Sequence, residues 1–113
     1  MATTADFTIK KNDNRPDLEA QLKIGGSVVD LSTANSATFH LATKRTSDSI
    51  SINSAGTITD AVYGKVKYAW AAGDTDLPEG LYYWEWEIEW SNGDLQTFPN
   101  NDFKTLRIED ELV

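Results

Sequence analysis

Few residues in this chain could do chemistry, and their spacing decides against most of it. His40 is the only histidine. The alternation of Phe39 and Leu41 places it on a solvent face, and no base or nucleophile stands beside it in a pattern that general acid–base or nucleophilic catalysis needs. Serines are plentiful, but none occupies a nucleophile-elbow sequence. The chain has no cysteine, which removes disulfides, thiolate zinc sites and cysteine nucleophiles together. No catalytic residue is expected, and the reading is a protein that is not an enzyme.

Oxygen ligands cluster twice, in Asp74-Thr75-Asp76 with Glu79 and in Asn12-Asp13-Asn14. Calcium takes such ligands from loops, yet neither cluster follows the twelve-residue helix-loop-helix pattern. Asp and Asn more often cap turns by accepting from nearby backbone amides, so neither a metal nor any other cofactor is expected.

Four tryptophans in 113 residues raise a second possibility, because indole rings stack on sugars. The elements that carry them argue for a core instead. From Leu81 to Trp90 the chain alternates strictly. Tyr82, Trp84, Trp86, Ile88 and Trp90 fall on one face, and Tyr83, Glu85, Glu87 and Glu89 on the other. Burying three unpaired carboxylates would cost several kcal/mol each, so the tryptophan face must point inward. Tyr83, Glu85, Glu87 and Glu89 are then candidate exposed contacts on a wet, acidic sheet face.

The rest of the chain repeats this period of two, with no convincing helical period. Phe7 and Ile9 alternate with Thr8 and Lys10. Leu18, Ala20, Leu22 and Ile24 alternate with Glu19, Gln21 and Lys23, as in a strand with one wet face. Gly25-Gly26-Ser27 turns the chain into Val28–Leu31. Further strands run through Ala37–Leu41, Ile50–Ile52, Thr57–Val62 and Gly64–Trp70. Asn92-Gly93 is a hairpin signal joining Trp90 to a return over Leu95–Phe98, and Pro99 to Asp102 interrupts that return before a last strand at Lys104–Ile108. The pattern predicts one all-β domain over 1–113, an antiparallel immunoglobulin-like β-sandwich of roughly seven to nine strands. The segment from Asp76 through Gly80 to Tyr82 resembles a tyrosine corner, in which the phenol bonds the backbone of the preceding crossover.

The net charge of −8 repels phosphate backbones and anionic lipid, so neither nucleic acid nor a membrane surface is an expected partner. The opening Met1-Ala2-Thr3-Thr4 shows no secretory pattern.

Taken in order, the segments resemble a phage family: the immunoglobulin-like N-terminal domain of baseplate upper proteins and small stand-alone phage structural relatives. Phe7–Leu18 with its Asp13-Asn14-Arg15-Pro16 turn resembles the family's first strand. Val29-Asp30-Leu31 with Ala37–His40, and Gly64–Trp70 with Ala72–Asp76, resemble later blocks. Gly80-Leu81-Tyr82, Asn92-Gly93-Asp94 and Thr97–Asn100 complete the series.

The resemblance implies a non-enzymatic virion component, assembled in the host cytoplasm and present in several symmetric copies. It would dock other phage structural proteins at the baseplate, tail, neck or head surface. A carbohydrate-binding module contacting host surface glycan during attachment is the second reading. The expected docking edge is the first strand and its turn, carrying Phe7, Ile9, Lys11, Asp13 and Arg15, because a terminal edge strand can pair with a neighbouring sheet.

Overall fold

Alternating β-branched and aromatic residues, broken every few positions by Gly, Asn and Asp, leave the backbone extended wherever one face can be buried. A computed structural model describes residues 5–44, 50–99 and 104–112. Among the described residues it is all-β, with 57% strand and no helix.

There are eleven strands among the described residues: β1 Phe7–Lys10, β2 Leu18–Gln21, β3 Lys23–Ile24, β4 Ser27–Val28, β5 Ala34–Ala42, β6 Ile50–Ala55, β7 Thr57–Asp60, β8 Lys65–Tyr68, β9 Gly80–Trp90, β10 Leu95–Phe98 and β11 Lys104–Glu109. The count exceeds the expected seven to nine in part because the run Leu18–Ile24 divides into β2 and β3, while β10 and β11 are the separate return and last strand that the sequence predicts.

The larger sheet has the order β1-β11-β9-β5-β6, with β10 beside the second half of β9. The smaller has the order β2-β8-β7, and β3 and β4 form a separate hairpin. With β2, β8 and β7 as strands B, E and D, and β11, β9 and β5 as G, F and C, this is the strand order of immunoglobulin-like sandwiches. One pairing departs from the antiparallel rule: β1 lies parallel to β11, with Phe7 opposite Leu106 and Ile9 opposite Ile108.

The two sheets meet through aromatic rings. Phe39 of β5 stacks on Tyr68 of β8 at 4.7 Å between centroids, and Trp70 meets both rings edge-on. Trp86, Phe39, Ile88, Leu106 and Leu18 are fully buried around them. Aromatic pairs of this kind add about 0.5–1.5 kcal/mol beyond the area they bury.

One flank of the sandwich is closed by covalent continuity. β6, on the larger sheet, runs through Gly56 directly into β7 of the smaller one. Gly56 N–H donates to Ala37 O at 2.8 Å, and a Cβ built on Gly56 would fall on the Trp86 ring and 2.9 Å from Lys67 O. Only glycine fits at that crossover.

Candidate functional site

The alternation of β9 places its side chains as the sequence predicts: Tyr82, Trp84, Trp86 and Ile88 are buried. Tyr83, Glu85 and Glu87 on the opposite face are half-buried rather than open, because β5 flanks all three and β11 and β10 flank Tyr83 and Glu87 on the other side, and Glu89 is exposed. His40 lies opposite Glu85 across the β5–β9 pair, with Nδ1 3.7 Å from the carboxylate. His40 is half-buried, not openly solvated. Trp90 is also half-buried, and its indole donates to Gln96 Oε1 at 3.1 Å.

The expected docking edge is dispersed. β1 is the end strand of the larger sheet, but Ile9 is buried and Phe7 half-buried against Trp70, 6.0 Å between ring centroids. Lys11 is half-buried, while Asp13 and Arg15 are exposed in the turn that follows.

The acidic loops are turn caps. Asp74 Oδ2 accepts from the Tyr68 hydroxyl at 2.5 Å and from Ala71 N–H at 2.8 Å. Burial, reinforced by that carboxylate, pushes the Tyr68 phenol up to about 12. Thr75 is buried, and its hydroxyl donates to Asp13 O at 2.6 Å, which fastens the two acidic loops together. Asn12, with φ of 71°, donates from Nδ2 to Glu111 Oε1. Among the described residues no three His, Asp or Glu side chains gather into a set able to hold a metal ion.

Tyr82 donates from its hydroxyl to Pro78 O at 2.6 Å, and burial raises its pKa. This is the bond a tyrosine corner makes, and Gly80 and Asp76 lie on the crossover it spans. Asp76 itself meets Lys11 at 3.8 Å.

The two ends of the sandwich differ in their exposed apolar side chains. At the end holding β1–β2, β8–β9 and the tail sit Asp13, Asp74, Asp76, Glu79, Asp110 and Glu111. Hydrogen bonds bring three connections together at the other end. Leu31 N–H donates to Ala61 O, Leu22 N–H to Gly64 O, and Ser91 N–H to Thr33 O, linking the β2–β5, β7–β8 and β9–β10 connections.

That end is apolar. Ile24 and Val28 on the β3–β4 hairpin are each 40% exposed, Val62 and Tyr63 in the β7–β8 turn are 60% and 59% exposed, and Leu95 opens β10. Five of the seven large exposed hydrophobics among the described residues thus collect at one end, which random scatter does not explain.

Sequence reasoning missed this cluster. It placed Ile24 on the buried face of one long strand and ended a strand at Val62. The structure corrects both, because β2 stops at Gln21 and β7 at Asp60. The separate hairpin β3–β4 then carries Ile24 outward.

No family model matches the chain, and no curated protein matches it. Among solved structures it is similar to the crystal structure of CopC from Methylosinus trichosporium OB3b, at 10% identity and a TM-score of 0.49. The match covers 97% of this chain and 89% of that one. The expected role as a phage virion structural protein is corrected here, since the neighbour is a CopC and not a phage component. At that score the likeness passes no activity of its own to this chain.

Proposed function

We propose that the chain is a non-catalytic protein-binding module, and that its recognition surface is the apolar end formed by the β3–β4 hairpin and the β7–β8 turn. The observation that carries this reading is the collection of Ile24, Val28, Val62 and Tyr63 on adjoining loops of a well-packed sandwich. Loops held by a rigid scaffold are where binding residues concentrate, and clustered exposed apolar side chains mark interaction surfaces. The partner is a protein presenting a complementary apolar surface, since the chain's −8 charge disfavours anionic lipid.

The remaining polar groups suit this reading. His40, Glu85 and Glu87 lie on a flat sheet face, and Asp74 and Thr75 are engaged in fastening loops.

The test uses peptides selected from a random display library against the full chain. Tyr63→Ser combined with Val62→Ser should lower their affinity about 30-fold, the equivalent of ~2 kcal/mol at an aromatic hot spot. Unchanged affinity in a folded double variant overturns the proposal.

A further inference from the structure

On the flank opposite the Gly56 crossover, the edge of β2 that pairs with no strand among the described residues faces Phe98 and Lys104 across a cleft of about 170 Å³. Gln21, Leu22 and Lys23 line one wall, and Trp86, Phe98 and Lys104 the other.

Three independent features of this cleft point to the same kind of occupant. The first is backbone. Leu22 donates its N–H to Gly64 O, toward β8. Neighbouring residues in a strand turn their backbone groups to opposite sides, so the N–H and C=O of Gln21 face the open edge.

The second is an orphaned donor. The indoles of Trp70, Trp84 and Trp90 donate to Pro16 O, Thr105 O and Gln96 Oε1. Trp86 is fully buried, and its Nε1–H has no partner among the described residues. A buried N–H left unpaired is costly, and a carbonyl brought into the cleft relieves it.

The third is charge. In a chain of net charge −8, the cleft is bordered by two exposed lysines, Lys23 and Lys104, one on each wall.

We infer that this cleft binds an extended acidic segment of a partner protein. The segment adds a strand to the free edge of β2 and sets a backbone carbonyl on the Trp86 indole N–H. Its carboxylates lie against Lys23 and Lys104. Main-chain bonds supply the affinity of such strand addition, and the lysines select the charge. The site adjoins the apolar end, since Lys23 belongs to the β3–β4 hairpin, but the Gln21 backbone edge and the Trp86 donor lie outside that hairpin.

The probe is a blocked hexapeptide of alternating valine and glutamate, with its valine–lysine counterpart as control, titrated into the full ¹⁵N-labelled chain. The acidic peptide should move the Trp86 indole N–H resonance downfield, leaving the other three indole signals in place. Lys23→Glu combined with Lys104→Glu should weaken that binding by about tenfold or more. Gln21→Pro, which removes an outward N–H and, with it, the side-chain bond to Tyr63 O but spares the β8 ladder, should weaken it as well. A Trp86 signal that stays fixed at millimolar peptide overturns the inference. So does equal binding of the two peptides, or a charge-reversed variant that stays folded and binds as before.

Discussion

The six-membered ring of Trp86 fills the space that a side chain on Gly56 would need. This single contact joins the middle of β9 to the point where one strand passes from the larger sheet to the smaller. A Cβ there meets both the ring and the Lys67 carbonyl oxygen, and neither can retreat, since Trp86 is fully buried and Lys67 is held in the β8 ladder. Gly56→Ala should therefore destabilise the fold by about 1–3 kcal/mol, the usual cost of overpacking. Urea denaturation followed by tryptophan fluorescence measures it, and a stability within about half a kcal/mol of the parent would show that the crossover has room.

Trp86→Ala removes the other half of the same contact. It should cost about 3–5 kcal/mol or prevent folding outright. Glu87→Ala, one residue along on the opposite face, should change stability by no more than about half a kcal/mol. Denaturant midpoints of the two variants check the parity of β9, and equal losses would contradict it.

Tyr82→Phe deletes the donor to Pro78 O and with it the part-buried bond that ties β9 to the preceding crossover. A loss of about 1–3 kcal/mol is expected. Tyr63→Phe, on an exposed ring in the β7–β8 turn, is the control and should be silent. If Tyr82→Phe is silent too, the corner does not hold the crossover.

Tyr68 makes stability sensitive to alkali. Its folded-state pKa is raised to about 12 from the ordinary phenol value of 10.0, first by burial and then by the Asp74 carboxylate. A group raised in this way favours the folded state fully below its unfolded pKa and ceases to do so as pH climbs through the folded one. Stability should therefore fall between roughly pH 10 and pH 12, and Tyr68→Phe should flatten that decline. Thermal melting across this range measures it, and an identical decline in the variant would place the effect elsewhere.

How much of this was legible in the residues depends on how local the cause is. The faces of β9 follow from ten residues of strict alternation, because three glutamates cannot share a core with three tryptophans. The division between β10 and β11 is signalled by Pro99, which cannot donate to a ladder. Gly56 gave no signal, since its constraint comes from a ring thirty positions away. The parallel β1–β11 pairing joins the two ends of the chain, and no local pattern encodes it. Ile24 continued the alternation of Leu18, Ala20 and Leu22, and only the pairing of Lys23 with Val28 turns it outward. The apolar end was therefore invisible until three separate connections were seen side by side.

The central claim is that recognition happens at that end. The most direct measurement is amide NMR of the full chain with a display-selected peptide ligand bound. The largest shifts are expected in residues 23–28 and 61–64, with the outer face of Glu85, Glu87 and Glu89 unmoved. Shifts centred on that acidic face or on β1, with residues 61–64 unchanged, would contradict the account.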